Sequence, residues 1–227
     1  MSKKVTIINI FKLTGIVVVP IYTAMLYYFL PKTNTGLIFF CFVTICIIER
    51  AWETFNTSKE RRREEVHGDW TLIAVTGAYL LVFFLFITEF YFLRFYSINI
   101  GVTFSGLVLL AASFRLRFWG MAALGKQWAV HAVGVQKIKK VRLVKIGPFK
   151  YVRHPIYLGI MMELTALPLI ANAYYALIIS LCLAVPLVVL RAFVEERTSF
   201  RRFGDRYLKY KKEVGMFFPW KLIKRGN

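Results

Sequence analysis

Three residue classes are scarce in this chain of 227 residues, which contains 12 Asp and Glu, three Cys and three His. The cysteines, Cys41, Cys46 and Cys182, all lie inside apolar runs, where a thiol behaves as a small hydrophobic group. They therefore predict neither a disulfide framework nor a metal site. The three histidines are far apart in the sequence and have no partner at ligand spacing, so we expect no bound metal.

Several functional signatures are also missing. The sequence has no phosphate-binding loop, no dinucleotide-binding glycine pattern and no Ser-His-acid order. The formal net charge is +19, yet the basic residues cluster between apolar runs and most aromatic residues lie inside those runs. A nucleic-acid surface needs a polar basic face with aromatic platforms, so no nucleic-acid partner is expected. We interpret the basic segments as determinants of membrane topology and as contacts for anionic membrane lipids.

Hydrophobic residues, in contrast, make up 58% of the chain. A helix needs about 20 apolar residues to cross a hydrocarbon core of about 30 Å. The last two apolar runs are separated only by the three residues Ala171–Ala173, which predicts a tight helix-turn-helix hairpin. We therefore predict an all-α, polytopic membrane bundle of five to six transmembrane helices, ending in this hairpin and a cytoplasmic C-terminal helix. The runs extend roughly over Leu13–Leu30, Gly36–Trp52, Trp70–Phe92, Ile98–Phe114, Ile156–Ile170 and Tyr174–Leu190.

The distribution of basic residues predicts the orientation of this bundle. All but two of the 31 Lys and Arg lie in segments that six successive spans would place on one side, and the exceptions are Lys32 and Arg94. The positive-inside rule then places both termini in the cytoplasm. The basic, apolar start lacks a small-residue cleavage site, so we expect a retained first span. The host membrane would be the cell membrane in a prokaryote and the endoplasmic reticulum in a eukaryote.

The stretch "GPFKYVRHPIYLG", from Gly147 to Gly159, places polar residues where the fifth apolar run begins. Pro155 favours an extended conformation at His154 and suits the first turn of the following helix. The N–H groups at such a helix start attract negative groups. Gly159 lets another backbone or a ligand approach closely. Interfacial anchoring alone requires neither a His-Pro step nor flanking glycines, so the run as a whole favours a functional site.

Three further charged residues stand out near or within the last two runs. Arg191 and Glu195 are four residues apart on one helical face, and Glu196 is turned toward the next. An ordinary ion pair at a helix end is the alternative. Glu163 lies inside the fifth run, where an acid usually faces a partner, a cavity or a substrate path. Alternatively, Glu163 lies shallow enough to reach water or an Arg.

The segments "LVKIGPFKYVRHPIYLG", "RAFVEE" and "FGDRYLKY", with the hairpin between the first two, resemble the isoprenylcysteine carboxyl methyltransferase family of membrane methyltransferases. The related phospholipid methyltransferases share the pattern in looser form. The resemblance extends over about Leu124–Trp220. It implies S-adenosylmethionine as cofactor, N-terminal helices over residues 1–118 that shape the acceptor site, and a methyltransferase core over residues 119–227.

The resemblance also implies roles for individual residues. Arg191 would face and orient the methyl acceptor. Independently of the resemblance, Glu163 is a predicted catalytic residue beside Arg191, because it is an acid inside an apolar run. Two departures from the family pattern are Val141 and Arg142, where a histidine is expected, and Phe149, where the family usually has Tyr. The predicted cofactor-binding residues are Gln136, Leu143, Val144, Phe149, His154, Pro155, Ile156, Tyr157, Glu195 and Glu196.

The implied function is methyl transfer to a lipophilic acceptor, either a small molecule or a prenylated or lipid substrate, through a carboxyl or hydroxyl oxygen. A carboxylate acceptor needs no general base, whereas a hydroxyl or amine must lose a proton, for which Glu163 or His154 would be candidates. Two alternatives stay open. One is a membrane sterol-type reductase with a similar Arg-His-Pro-x-Tyr segment and a nicotinamide cofactor, and the other is a non-enzymatic lipid-binding membrane protein. Nothing in the sequence indicates an oligomeric state.

Overall fold

The computed structural model describes residues 14–30, 33–55, 70–94, 97–125 and 142–219, which form helices and contain no β-strand. This confirms the predicted all-α bundle. Four helices are regular throughout: α2 is Asn34–Phe55, α4 is Ile100–Leu124, α5 is Pro155–Ile170 and α7 is Asp205–Glu213. Three others each include a π-helical turn. Helix α1 begins with the turn Thr14–Val18 and continues over Val19–Phe29, α3 extends over Trp70–Glu89 and ends with the turn Phe90–Arg94, and α6 extends over Tyr174–Ile179, the turn Ser180–Ala184 and Val185–Phe203.

Four of these helices, α2, α3, α4 and α6, are long and apolar enough to cross a membrane, and α1 and α5 are shorter apolar helices. Each of the six predicted apolar runs therefore contains a helix within the described residues. The number of spans and the side of the termini stay predictions. Two helices continue well beyond their apolar runs, α4 to Leu124 and α6 to Phe203. The run of α4 ends before its first charged residue, the exposed Arg115, and the helix continues past it to include the buried Arg117.

The turn between α5 and α6 is held against the start of α4. Asn172 adopts a positive φ of 54°, which Asn tolerates better than most residues. Its side-chain oxygen accepts a hydrogen bond from the Asn99 backbone N–H at 2.9 Å, and its amide donates to Thr103 Oγ1 at 2.8 Å. The hairpin turn and the α3–α4 connection therefore lie at the same end of the bundle, which we call the Asn172 end. The start of α5 marks the opposite, Pro155 end.

Helices α4 and α5 pack closely because small residues face the contact. A Cβ atom added at Gly106 would lie 2.8 Å from Ile170 Cγ1, and one added at Gly159 would lie 2.5 Å from Arg117 Cγ. The Ser113 hydroxyl donates to the Gly159 carbonyl at 2.7 Å. The close approach predicted at Gly159 is therefore made by α4.

Pro168 interrupts the backbone hydrogen bonds of α5, since a proline has no N–H to donate to the carbonyl four residues earlier. That carbonyl belongs to Leu164, and the Ser180 hydroxyl donates to it at 2.8 Å. Ser180 also begins the π-helical turn that precedes Pro186 in α6. The neighbouring helix thus supplies the donor that the proline removes, as hydrocarbon surroundings require.

The apolar core lies between the membrane helices, and the ring centroids of Phe39 in α2 and Phe90 in α3 are 3.6 Å apart within it. A second, smaller cluster lies at the Pro155 end, where Tyr207 and Tyr210 of α7 pack with Val214, Leu143 and Phe203. This cluster attaches α7 and the segment before α5 to the end of α6.

Candidate functional site

The entrance to α5 is anchored to the segment that follows α7. The backbone N–H of Arg153 donates to the Gly215 carbonyl at 2.9 Å, and that of His154 donates to the Met216 carbonyl at 3.1 Å. His154 is non-helical, with φ −124° and ψ 60°, and Pro155 is the first residue of α5. The predicted helix start at Pro155 is therefore confirmed, whereas the extended conformation predicted for His154 is wrong, because its ψ of 60° lies below the extended range.

Arg153 and Glu196 join this entrance to the end of α6. Arg153 Nε donates to Glu196 Oε1 at 2.7 Å, and Lys211 Nζ lies 3.0 Å from Glu196 Oε2. Arg153 also donates to the Val214 carbonyl, and His154 Nε2 lies 3.4 Å from Glu196 Oε1. Arg153 and Glu196 are both buried. Both Glu196 oxygens therefore face protein cations, and these contacts hold the α5 entrance, the end of α6 and α7 together. The predicted contact of Glu196 with the cofactor stays a prediction.

Arg191 and Glu195 meet the first turn of α5 at Tyr157. Tyr157 interacts electrostatically with both side chains. Arg191 is 2% exposed, and its Nη1 atom donates to Thr71 Oγ1 in the first turn of α3 at 3.2 Å. The His154 ring stacks on Tyr157 at a centroid distance of 5.6 Å and an interplanar angle of 22°. The structure thus brings four predicted site residues together, namely His154, Tyr157, Arg191 and Glu195.

The segment before α5 borders this group through its backbone. Phe149 lies in the short helical turn Gly147–Lys150, and its carbonyl accepts a hydrogen bond from the Tyr210 hydroxyl at 2.6 Å. Burial raises the pKa of the Tyr210 phenol, so the hydroxyl keeps the proton that it donates. Leu143 packs against the Tyr207 and Tyr210 cluster.

The remaining predicted cofactor residues lie at the same end of the bundle or outside the described ranges. Val144 is partly buried and Pro155 is buried. Ile156 is directed at α4, since a Cβ atom on Gly120 would lie 2.8 Å from Ile156 Cγ1. Gln136 lies outside the described residues.

Glu163 lies deeper in the bundle, in a group of five charged side chains and one tyrosine that we call the buried ion cluster. Its members are Glu49, Arg50 and Glu53 of α2, Tyr79 of α3, Arg117 of α4 and Glu163 of α5. Glu163 is fully buried and accepts hydrogen bonds from Arg50 and Arg117, and from the Tyr79 hydroxyl at 2.5 Å. Arg117 in turn reaches Glu49 Oε1 at 2.6 Å and donates from Nε to Glu53 Oε1 at 2.9 Å.

Both sequence interpretations of Glu163 allowed an arginine partner, and the structure places two arginines, Arg50 and Arg117, against it. Both Glu163 oxygens are engaged as acceptors. Whether Glu163 also takes part in catalysis stays a prediction.

Sequence reasoning missed the cluster as a whole. A usable signal was present. Glu49 and Arg50 lie at the end of the run Gly36–Trp52, Glu53 follows it directly, and Arg117 follows another run. Ionisable residues at such depths need partners. The identity of those partners depended on how four helices pack. Within the described ranges, no group of three or more His, Cys, Asp and Glu side chains is arranged to hold a metal ion.

Parts of this chain are similar in sequence to a protein family and to three curated proteins. Residues 104–199 match the profile of the isoprenylcysteine carboxyl methyltransferase (ICMT) family. Methanethiol S-methyltransferase 1 of Bradyrhizobium diazoefficiens is 35% identical over 75 residues, which are 32% of this chain and 25% of that protein. The methanethiol S-methyltransferase of Mycobacterium tuberculosis is 32% identical over 72 residues, 32% of this chain and 28% of that protein. The uncharacterised protein YpbQ of Bacillus subtilis is 32% identical over 68 residues, 30% of this chain and 36% of that protein.

The matched segments therefore span between 25% and 36% of the length of these curated relatives. Similarity of fold extends much further. The solved structure of a eukaryotic intramembrane Ras methyltransferase, ICMT, superposes with a TM-score of 0.67 over 97% of this chain and 78% of that chain, at 19% identity. With the four apolar helices, these matches indicate an integral membrane protein. The resemblance predicted from the sequence is thereby confirmed, since residues 104–199 match the isoprenylcysteine carboxyl methyltransferase family and the chain has the fold of a eukaryotic ICMT.

Proposed function

We propose that this protein is an integral membrane methyltransferase that uses S-adenosylmethionine to methylate a lipophilic acceptor. The observation that carries the proposal is the meeting of His154 and Tyr157, at the entrance to α5, with Arg191 and Glu195 of α6. All four residues lie in the segment that matches the family. Residues 119–227 would form the methyltransferase core, and the helices within residues 1–118 would shape the acceptor site.

The side chains present at the Pro155 end fit the chemical groups of this cofactor. S-adenosylmethionine combines a carboxylate, an ammonium group, ribose hydroxyls, an aromatic base and a cationic sulfonium. The first-turn N–H groups of α5 have no partner within the helix and suit the carboxylate. Glu195 suits an ammonium group or a hydroxyl. The neighbouring rings of His154, Tyr157 and Phe217 suit an aromatic base or a cation.

The chemistry supplied by the bound cofactor is a methyl group already activated by the sulfonium charge. The protein then has to bind and orient the acceptor and to exclude water from it. Arg191 is suited to this task because its buried guanidinium can hold an acceptor that presents a negative atom. A carboxylate acceptor would be held in its reactive ionised form and would need no base.

The contacts of Glu163 support a positioning role rather than proton abstraction. Both of its oxygens accept hydrogen bonds from arginine or tyrosine side chains, so neither is directed at an acceptor. His154 is the alternative proton acceptor for a hydroxyl substrate, because it stands in the group with Tyr157.

Titration calorimetry of the purified protein with S-adenosylmethionine tests the cofactor. We expect saturable binding, lost in Glu195→Gln, because the amide removes the negative charge that an ammonium group would meet. Glu213→Gln is the matched control, since Glu213 is an exposed acid on α7. Absence of saturable binding by the native protein would overturn the proposal.

The same measurement separates the alternatives. Binding of a reduced nicotinamide cofactor in place of S-adenosylmethionine would favour the reductase. A non-enzymatic lipid-binding protein predicts that Glu195→Gln and Arg191→Ala leave all ligand binding unchanged.

The acceptor is tested by transfer of a radiolabelled methyl group to chemically distinct compounds. A farnesylated cysteine derivative presents a carboxylate on a lipid chain, and a long-chain alcohol presents a hydroxyl. Methanethiol is included because two relatives are named for it. We expect the carboxylate to be the best acceptor and Arg191→Ala to reduce its methylation, whereas preference for the thiol would reassign the acceptor class.

A further inference from the structure

A hydrogen bond connects the first turn of α3 with the candidate site. Thr71 is the second residue of α3, and its Oγ1 atom lies 3.2 Å from Arg191 Nη1. Both residues are 2% exposed. Thr71 also lies outside the segment that matches the family, which begins at residue 104. The contact therefore joins the N-terminal half of the chain to the residue that we propose faces the acceptor.

The Thr71 hydroxyl makes a contact between helices, unlike those of two other threonines in α3. A threonine hydroxyl in a helix commonly donates to the carbonyl four residues earlier. Thr76 does so to Leu72 at 2.8 Å, and Thr88 does so to Phe84 at 2.6 Å. The oxygen of Thr71 accepts a hydrogen bond from Arg191, which belongs to α6.

Burial increases the effect of this hydrogen bond on the conformation of Arg191. A guanidinium on a long side chain has many rotamers, and a hydrogen bond to a charged group in a buried setting restricts them more strongly than one at the surface. Arg191 is also in electrostatic contact with Tyr157, on the opposite helix of the hairpin. Contacts from α3 and α5 thus approach the same guanidinium from two helices.

We infer that Thr71 is a positioning residue for Arg191, through which the N-terminal half of the protein sets the orientation of the methyl acceptor. This inference rests on the proposed function, because it takes Arg191 as the residue that faces the acceptor. Thr71 itself need not touch the acceptor or the cofactor. It fixes the direction in which the guanidinium presents its remaining N–H groups.

The test uses three variants of the full-length protein. Thr71→Val keeps the shape of the side chain and removes the hydroxyl, Thr71→Ser restores a hydroxyl, and Thr76→Val removes a hydroxyl that serves only its own helix. With the farnesylated cysteine derivative as acceptor, we expect Thr71→Val to raise the acceptor KM about tenfold, as loss of a hydrogen bond to a charged group implies. The affinity for S-adenosylmethionine should not change, Thr71→Ser should recover most of the loss, and Thr76→Val should behave as the native protein.

These outcomes separate positioning from general stability. A purely structural effect would lower the melting temperature and weaken cofactor and acceptor binding together. In that case Thr71→Ser would not recover the acceptor KM, or Thr76→Val would raise it as well. Equal acceptor KM values for Thr71→Val and the native protein would overturn the inference.

A double-mutant cycle tests the contact without requiring turnover. The melting temperatures of Thr71→Val, Arg191→Gln and the double variant should be non-additive, because each single change removes the same hydrogen bond. Strict additivity would overturn the inference. If the native protein binds no S-adenosylmethionine, the proposed function fails by calorimetry and the acceptor role of Thr71 is overturned with it, whereas failure of the cycle alone leaves the proposed function intact.

Discussion

Charged residues buried among apolar helices are the main feature of this protein at the scale of single residues. The buried ion cluster contains three glutamates and two arginines drawn from α2, α4 and α5. Removing a charge from water is costly, and that cost is offset only when partners are close and well oriented. The position of each member therefore depends on the others. Arg117 and Glu163 both join the family segment to α2, and Glu163 also joins it to α3.

Glu163→Gln is expected to destabilise the protein strongly while leaving the chemistry of transfer intact. The amide leaves Arg50 and Arg117 without one of their negative partners, and breaking a buried ion pair in this way costs about 3 to 5 kcal/mol. For a protein of this size the melting temperature in detergent should fall by roughly 10 °C.

The exposed Glu213→Gln serves again as control and should melt as the native protein does. The pH profile of kcat separates the two roles of Glu163. A positioning residue leaves the shape of the profile unchanged, whereas loss of the fall in kcat at low pH in Glu163→Gln would show that Glu163 is the general base.

At the scale of helices, irregularities in one element are compensated by side chains of its neighbour. Ser180 donates to the carbonyl that Pro168 leaves without an intrahelical donor. At the Asn172 end, Glu89 of α3 accepts hydrogen bonds from the backbone N–H groups of Tyr175 and Ala176, at 3.2 and 2.9 Å. A negative group at the start of α6 is favourable because first-turn N–H groups lack intrahelical partners. The hairpin is thus held by α3 as well as by its own turn.

A cycle of variants tests the compensation between Ser180 and Pro168. Ser180→Ala should destabilise the native sequence by about 1 to 3 kcal/mol, because it leaves the Leu164 carbonyl without a donor in a buried setting. In a Pro168→Ala background the same change should cost much less, since residue 168 then has an N–H for that carbonyl. The measurement compares the melting temperatures of the native protein, Ser180→Ala, Pro168→Ala and the double variant. An equal loss of stability from Ser180→Ala in both backgrounds would contradict the compensation.

The charge of the whole molecule is strongly asymmetric. The positive-inside rule predicts that the basic Pro155 end, with both termini, faces the cytoplasm. To test this, the three native cysteines are replaced by alanine and a single cysteine is introduced as Lys145→Cys or Ser97→Cys, both at exposed positions of the described chain. In intact cells with the protein in the cell membrane, a membrane-impermeant maleimide should label Ser97→Cys and spare Lys145→Cys. The reverse pattern would overturn the predicted orientation.

Much of this architecture could be predicted locally. A helix satisfies its backbone hydrogen bonds within its own segment, so the hydropathy of each run suffices to predict a helix in hydrocarbon. Three residues between the last two runs suffice to predict a hairpin. The His154-Pro155 step predicts a helix entrance from the conformational limits of proline alone. Helix ends were less predictable, because α4 continues through Arg115 and Arg117, and no local pattern indicates that Arg117 is buried.

The sequence by itself therefore determined the apolar helices, the hairpin and the residue types of the candidate site, since each depends on neighbours within a few positions along the chain. Tertiary structure alone decided which charges meet. Arg50 and Glu163 are separated by 113 residues, and Thr71 and Arg191 by 120. Such pairs depend on helix rotation and depth, which follow from the packing of several helices at once, such as the approach of α4 to α5 at Gly159. The physical reason is that backbone hydrogen bonding is local, whereas the pairing of buried charges is set by the whole bundle.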